Sequence, residues 1–109
     1  MKPYIDLPRM AEITEGMVRD SLQSFLEQDT ALAYEVIKRD DEVDQLTVQI
    51  FNELLLFMIK DGTTITRAIK ITYISKYLER IADHATNLCE MVVYMNEGRM
   101  IRHTRPPEE

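Results

Sequence analysis

The chain has 109 residues, 45% of them hydrophobic, which is enough for one modest core and excludes a wholly disordered chain. Its formal net charge of −6 argues against nucleic-acid binding, which needs a basic surface. The single cysteine, Cys89, excludes an internal disulfide framework and a thiolate-only metal site. The longest apolar run, 54–59, is too short to span a bilayer, and no basic-then-apolar leader opens the chain. The sequence therefore predicts a soluble, cytoplasmic protein with no membrane insertion.

The scarcity of turn residues predicts an all-α fold. The sequence holds 3 glycines and 4 prolines, and no proline lies between Pro8 and Pro106, so long helices are unobstructed. We predict a single domain, 1–109, with three helices at about 8–28, 30–60 and 64–97 and a loose tail at 99–109.

The first helix is predicted to start with Asp6 as its cap and Pro8 in its first turn, where a missing N–H costs little. Its apolar residues recur at helical spacing and are expected to face the core: Leu7, Ala11, Val18, Leu22 and Phe25.

The second helix is predicted to begin at the cap Asp29–Thr30 and to bury a regular apolar stripe. That stripe consists of Val36, Val43, Ile50, Leu54 and Phe57, with Asp40 and Thr47 in the same seam. Leu55, Leu56 and Ile59 lie off the stripe, which predicts a further contact surface and self-association.

Segment 61–64 (DGTT) is the strongest predicted break, and Gly98 is expected to end the third helix. The third helix has its own predicted core stripe: Ile71, Ile74, Leu78, Ile81, Ala85, Leu88, Val92 and Met95. Short links make neighbouring helices antiparallel, so we predict an antiparallel three-helix bundle, a rod ~45 Å long.

Two pairs of carboxylates recur at a spacing of four, Asp40 with Asp44 and Glu79 with Asp83. In an antiparallel hairpin that turns near residues 61 and 62, residues whose numbers add to about 123 lie level. Asp40 is then level with Asp83, and Asp44 with Glu79. The spacing predicts one acidic cluster on the bundle surface or at the edge of a groove.

Two interpretations of this cluster remain open. It is either a solvated face neutralised by Arg39 and Arg80, or a metal site, since oxygen-only ligands suit Fe³⁺, Mn²⁺, Mg²⁺ or Ca²⁺ more than Zn²⁺. A ferritin-type di-iron oxidase is disfavoured because neither His84 nor His103 has a glutamate three residues before it. No catalytic Ser/His/Asp or Cys/His pattern stands out, and no candidate base stands apart from the four carboxylates, so we predict no enzyme.

The other chemically notable side chains have structural interpretations. Cys89 is predicted to be a buried, inert thiol. His84 is expected to cap or to donate a hydrogen bond rather than to ligate a metal. Tyr73, Tyr77 and Tyr94 are expected at the edges of the apolar stripe, because no basic groove accompanies them.

At the carboxylates the sequence resembles a known family. Segments 39–44 (RDDEVD), 77–87 (YLERIADHATN) and 97–103 resemble the signatures of PhoU, a bacterial phosphate-signalling regulator, over roughly residues 3–103. The resemblance implies two similar three-helix repeats, each with an acidic motif that can hold iron or other metals. Carried over, the metal positions are Asp40, Asp44, Glu79 and Asp83. This chain looks like the second repeat alone, either a fragment of a longer protein or a natural single-repeat form.

The resemblance also implies a function. The chain would interact with a phosphate ABC transporter, through its ATPase, and with a sensor histidine kinase, and would keep the phosphate-starvation response off. The alternatives are an accessory of a secondary phosphate or metal transporter and a purely structural helical oligomer. Self-association, into a homodimer for example, is expected because a lone repeat leaves a flank bare.

Overall fold

Three long helices joined by short links make up the computed structural model, which describes residues 3–98 and the side chains from Asp6 to Gly98. They are α1 (Pro3–Glu27), α2 (Thr30–Lys60) and α3 (Ile65–Glu97), with a single 3₁₀ turn at Gly62–Thr64 before α3. Each helix packs against the other two in a rod of 52 × 27 × 16 Å. The predicted all-α three-helix bundle is confirmed. The predicted tail, 99–109, lies outside the described residues.

The start of α1 differs from the prediction. The helix begins at Pro3 rather than Pro8, and Asp6 is an acidic residue of its first turn rather than its cap. Proline is favoured at the first helical position because the N–H it lacks would have no partner there. Pro8 then lies inside the helix, where it removes a single backbone bond close to the end.

The α1–α2 junction matches the predicted cap. Asp29 has extended backbone angles, and its Oδ1 accepts a hydrogen bond of 3.1 Å from the N–H of Leu32. This bond satisfies one of the N–H groups that a helix start leaves without a partner. The preceding Gln28 has a φ of 54°, in the left-handed region, so the chain reverses within two residues.

The α2–α3 junction is organised by Asp61. Its N–H donates to the carbonyl of Phe57 at 3.0 Å, and its Oδ1 accepts from both the N–H and the hydroxyl of Thr63. These bonds from Thr63 lower the pKa of the Asp61 carboxyl. At the other end of α3, Gly98 adopts φ 75° and donates its N–H to the carbonyl of Tyr94, so the predicted stop is confirmed.

The core follows the predicted stripe closely on α2 alone. There, Val36, Val43, Ile50 and Leu54 are buried, and Asp40 and Thr47 are buried beside them. The predicted stripe on α1 is wrong in part, since Leu22 and Phe25 are 51% and 39% exposed. Met10 and Met17 fill the core from α1, together with small polar residues: Thr14, Ser21 and Ser24.

The predicted stripe on α3 is also wrong in part. Ile74, Ile81 and Met95 are 47%, 42% and 55% exposed. The buried face of α3 is rotated from the predicted one and carries mostly small residues: Ala68, Ile71, Ser75, Ala82, Ala85, Thr86, Cys89, Val92 and Val93. Small side chains let α3 approach its neighbours closely, and the larger apolar side chains are left on the surface. Within residues 3–98, no helix is long and apolar enough to cross a membrane.

Candidate functional site: the carboxylate level of the hairpin

The register of the α2–α3 hairpin can be read from residues that share its grooves. Thr47 lines one groove together with Ser75, and Leu54 lines another together with Ala68. Continued along both helices, this register brings Asp40 to the level of Asp83 within one residue.

The four predicted carboxylates have different surroundings. Asp40 is 7% exposed and lies on the buried face of α2, whereas Asp44 and Asp83 are exposed. Glu79 has a side chain that is 28% exposed, and its Oε1 lies 3.6 Å from Nζ of Lys76. The four carboxylates therefore lie at a similar height along the α2–α3 hairpin, but Asp40 lies in the interior whereas Asp44 and Asp83 lie on the surface.

The side chains do not form a preassembled metal cage. Among residues 3–98, no group of three or more His, Cys, Asp or Glu side chains is arranged to hold a metal ion. The donor chemistry and the shared level fit a hard cation, but the side-chain arrangement does not by itself identify one. Metal binding at these residues stays a prediction.

The two arginines expected to neutralise the cluster also make contacts outside it. Nη2 of Arg39 donates to Oδ2 of Asp20 at 2.7 Å and to Oε1 of Glu35 at 3.0 Å. The guanidinium carbon of Arg80 lies 5.9 Å from the ring centroid of Tyr77, a cation–π geometry.

The Arg39–Asp20 pair ties α2 to α1 and was not foreseen from the sequence. The side chains of Arg39 and Asp20 are only 27% and 16% exposed. Partial burial lowers the pKa of Arg39, but its hydrogen bonds to Asp20 and Glu35 outweigh that effect and hold the pKa above its usual value. The sequence shows Arg39 at the start of the acidic segment 39–44. The carboxylates of that segment are much nearer to Arg39 along the chain than Asp20 is, so the sequence did not point to Asp20 as its partner.

Cys89 is completely buried, as predicted. Its Sγ lies 3.9 Å from Oγ of Ser24, and burial raises the pKa of the thiol. A thiol held in its neutral form is a poor nucleophile and a poor metal ligand. Cys89 therefore packs α3 against α1.

The three helices correspond to a known protein family. A family model described as "PhoU domain" matches residues 7–92. A protein of Aquifex aeolicus is 41% identical over 109 residues, which is 100% of this chain and 49% of that protein. A protein of Clostridium acetobutylicum is 41% identical over 92 residues, which is 84% of this chain and 42% of that protein.

A third relative, from Thermotoga maritima, is 37% identical over 98 residues, or 90% of this chain and 42% of the relative. All three are named phosphate-specific transport system accessory protein PhoU homologs. The chain thus spans about half the length of the curated relatives it matches. With a domain match across most of its length and relatives of this identity, the chain belongs to the PhoU family.

Proposed function

We propose that this chain regulates phosphate uptake and phosphate-starvation signalling by binding other proteins. The observation that carries the proposal is its identity, over most of its length, to accessory proteins of phosphate-specific transport systems. The surface supports recognition by helix faces, because large apolar side chains are exposed on all three helices: Leu22 and Leu26 on α1, Phe51 and Leu56 on α2, and Tyr73 and Tyr77 on α3.

The proposed partners are the ATPase of a phosphate ABC transporter and a sensor histidine kinase, both met in the cytoplasm. The chain acts as a negative regulator and without catalysis: it holds the kinase in its phosphate-replete state while the transporter is supplied. Long helices with exposed apolar faces suit this adaptor role, since a helix laid on such a face buries area without any chemical step.

The proposal is tested in a bacterium from which its own relative has been removed, with a phosphate-repressed reporter. Expression of this chain is expected to lower the reporter in phosphate-rich medium. The matched control is the same chain with Leu54→Asp, which places a charge in the core and removes the fold. A reporter that stays fully on, with the folded chain detected in the cells, contradicts the proposal.

We also propose that Asp40, Asp44, Glu79 and Asp83 bind a hard cation, Fe³⁺ in the first instance. The support is their shared level and their oxygen donors, and the cation competes with Lys76 for Glu79. A cation that binds only the folded state stabilises it by about 3 kcal/mol at a hundredfold excess over Kd.

The expected result is a melting temperature that rises by about 10 °C with a hundredfold excess of Fe³⁺, Mn²⁺ or Mg²⁺ and does not rise in the Asp44→Asn, Asp83→Asn double variant. The control is Glu15→Gln with Asp41→Asn, which removes the same charge from two other exposed positions. Equal melting temperatures with and without each metal in the unaltered chain identify the carboxylates as a solvated face.

We further propose self-association through the α2 flank formed by Leu55, Leu56 and Ile59, which are 42%, 61% and 73% exposed. Leu56→Glu is expected to shift sedimentation towards the monomer, because an isologous contact brings two introduced charges together. Leu26→Glu, at a leucine 78% exposed on α1, is the matched control. A strict monomer of the unaltered chain at high concentration counts against this flank.

A further inference from the structure

We draw no further inference here: the strongest candidate, the exposed apolar surface of α1 and α3 around Leu22, Phe25, Ile74 and Ile81, carries none because nothing in residues 3–98 shows what covers it.

Discussion

Replacing Leu54 with alanine is expected to lower the free energy of unfolding by about 3 kcal/mol. Leu54 is 1% exposed and packs beside Ala68 and Ile71 of α3, where the hairpin closes. Truncating a buried leucine loses its transfer free energy and leaves a cavity that the small side chain of Ala68 cannot fill. The loss is measured by urea denaturation of the full chain, at unchanged slope with denaturant.

The neighbouring Leu55→Ala is the matched control, since it makes the same chemical change one residue along the same helix. Leu55 is 42% exposed, and its replacement is expected to cost less than about 1 kcal/mol. Equal losses at the two positions would mean that α2 is rotated about its axis relative to the structure. The reverse order would place Leu55 in the core.

The sequence was most informative where one helix is amphipathic and its ends have clear caps. On α2 the predicted bounds, 30–60, equal the observed helix, because Asp29 and Asp61 both have side chains that accept backbone hydrogen bonds. Asp40 and Thr47 lie in the predicted seam and are both buried. For Asp40 this corrects the prediction that the carboxylate cluster lies on the surface or at the edge of a groove, because its position within the repeat outweighs its polarity. The buried hydroxyl of Thr47 is satisfied because it donates a hydrogen bond to the carbonyl of Val43.

The sequence was least informative about how α1 and α3 rotate about their axes. The predicted stripe on α3 follows the large apolar residues, but the structure turns Ser75, Ala82 and Thr86 inward. Ser75 and Thr86 become buriable because their hydroxyls donate to backbone carbonyls of their own helix. A pattern of apolar residues cannot show which face a neighbouring helix will take when close approach favours small side chains.

The carboxylate level was predictable to the extent that it depends on the hairpin alone. A short link fixes the register of α2 against α3, so the levels of Asp40 and Asp83 follow from the sequence numbers. The partner of Arg39 was not predictable in this way, because the α1–α2 contact joins Asp20 to it by tertiary packing. The contact between Lys76 and Glu79 was not predicted either, because it depends on how both side chains are oriented on the surface of α3.

Several apolar residues that were predicted in the core lie on the surface and are available for contacts with other helices. Ile74, Ile81, Leu22 and Phe25 recur at helical spacing, yet three helices of this length bury only part of each stripe. Apolar residues in excess of what the bundle can bury favour contact with further helices. The α2 flank formed by Leu55, Leu56 and Ile59 is one such surface.

The second large effect is expected at Arg39. Replacing it with alanine should destabilise the chain by about 2 kcal/mol, because Asp20, with a side chain only 16% exposed, loses its shorter cation contact and keeps only the one with the exposed Arg19 at 3.5 Å. Removing the partner of a fully buried charge costs somewhat more than this, and the residual exposure of Asp20 reduces the figure. The matched control is Arg9→Ala, since Arg9 also joins α1 to α2, through Glu42 at 3.0 Å, with side chains 62% and 44% exposed.

An exposed pair of that kind contributes less than about 1 kcal/mol, and salt screens it. Urea denaturation of both variants, repeated with Asp20→Asn alone and combined with Arg39→Ala, measures the coupling directly. If the Arg39–Asp20 contact holds α1 in place, the double variant loses clearly less stability than the two single losses added together. Additive losses, or equal effects of Arg39→Ala and Arg9→Ala, would instead make the contact another solvated pair, and the position of α1 would depend on Met10 and Met17 in the core.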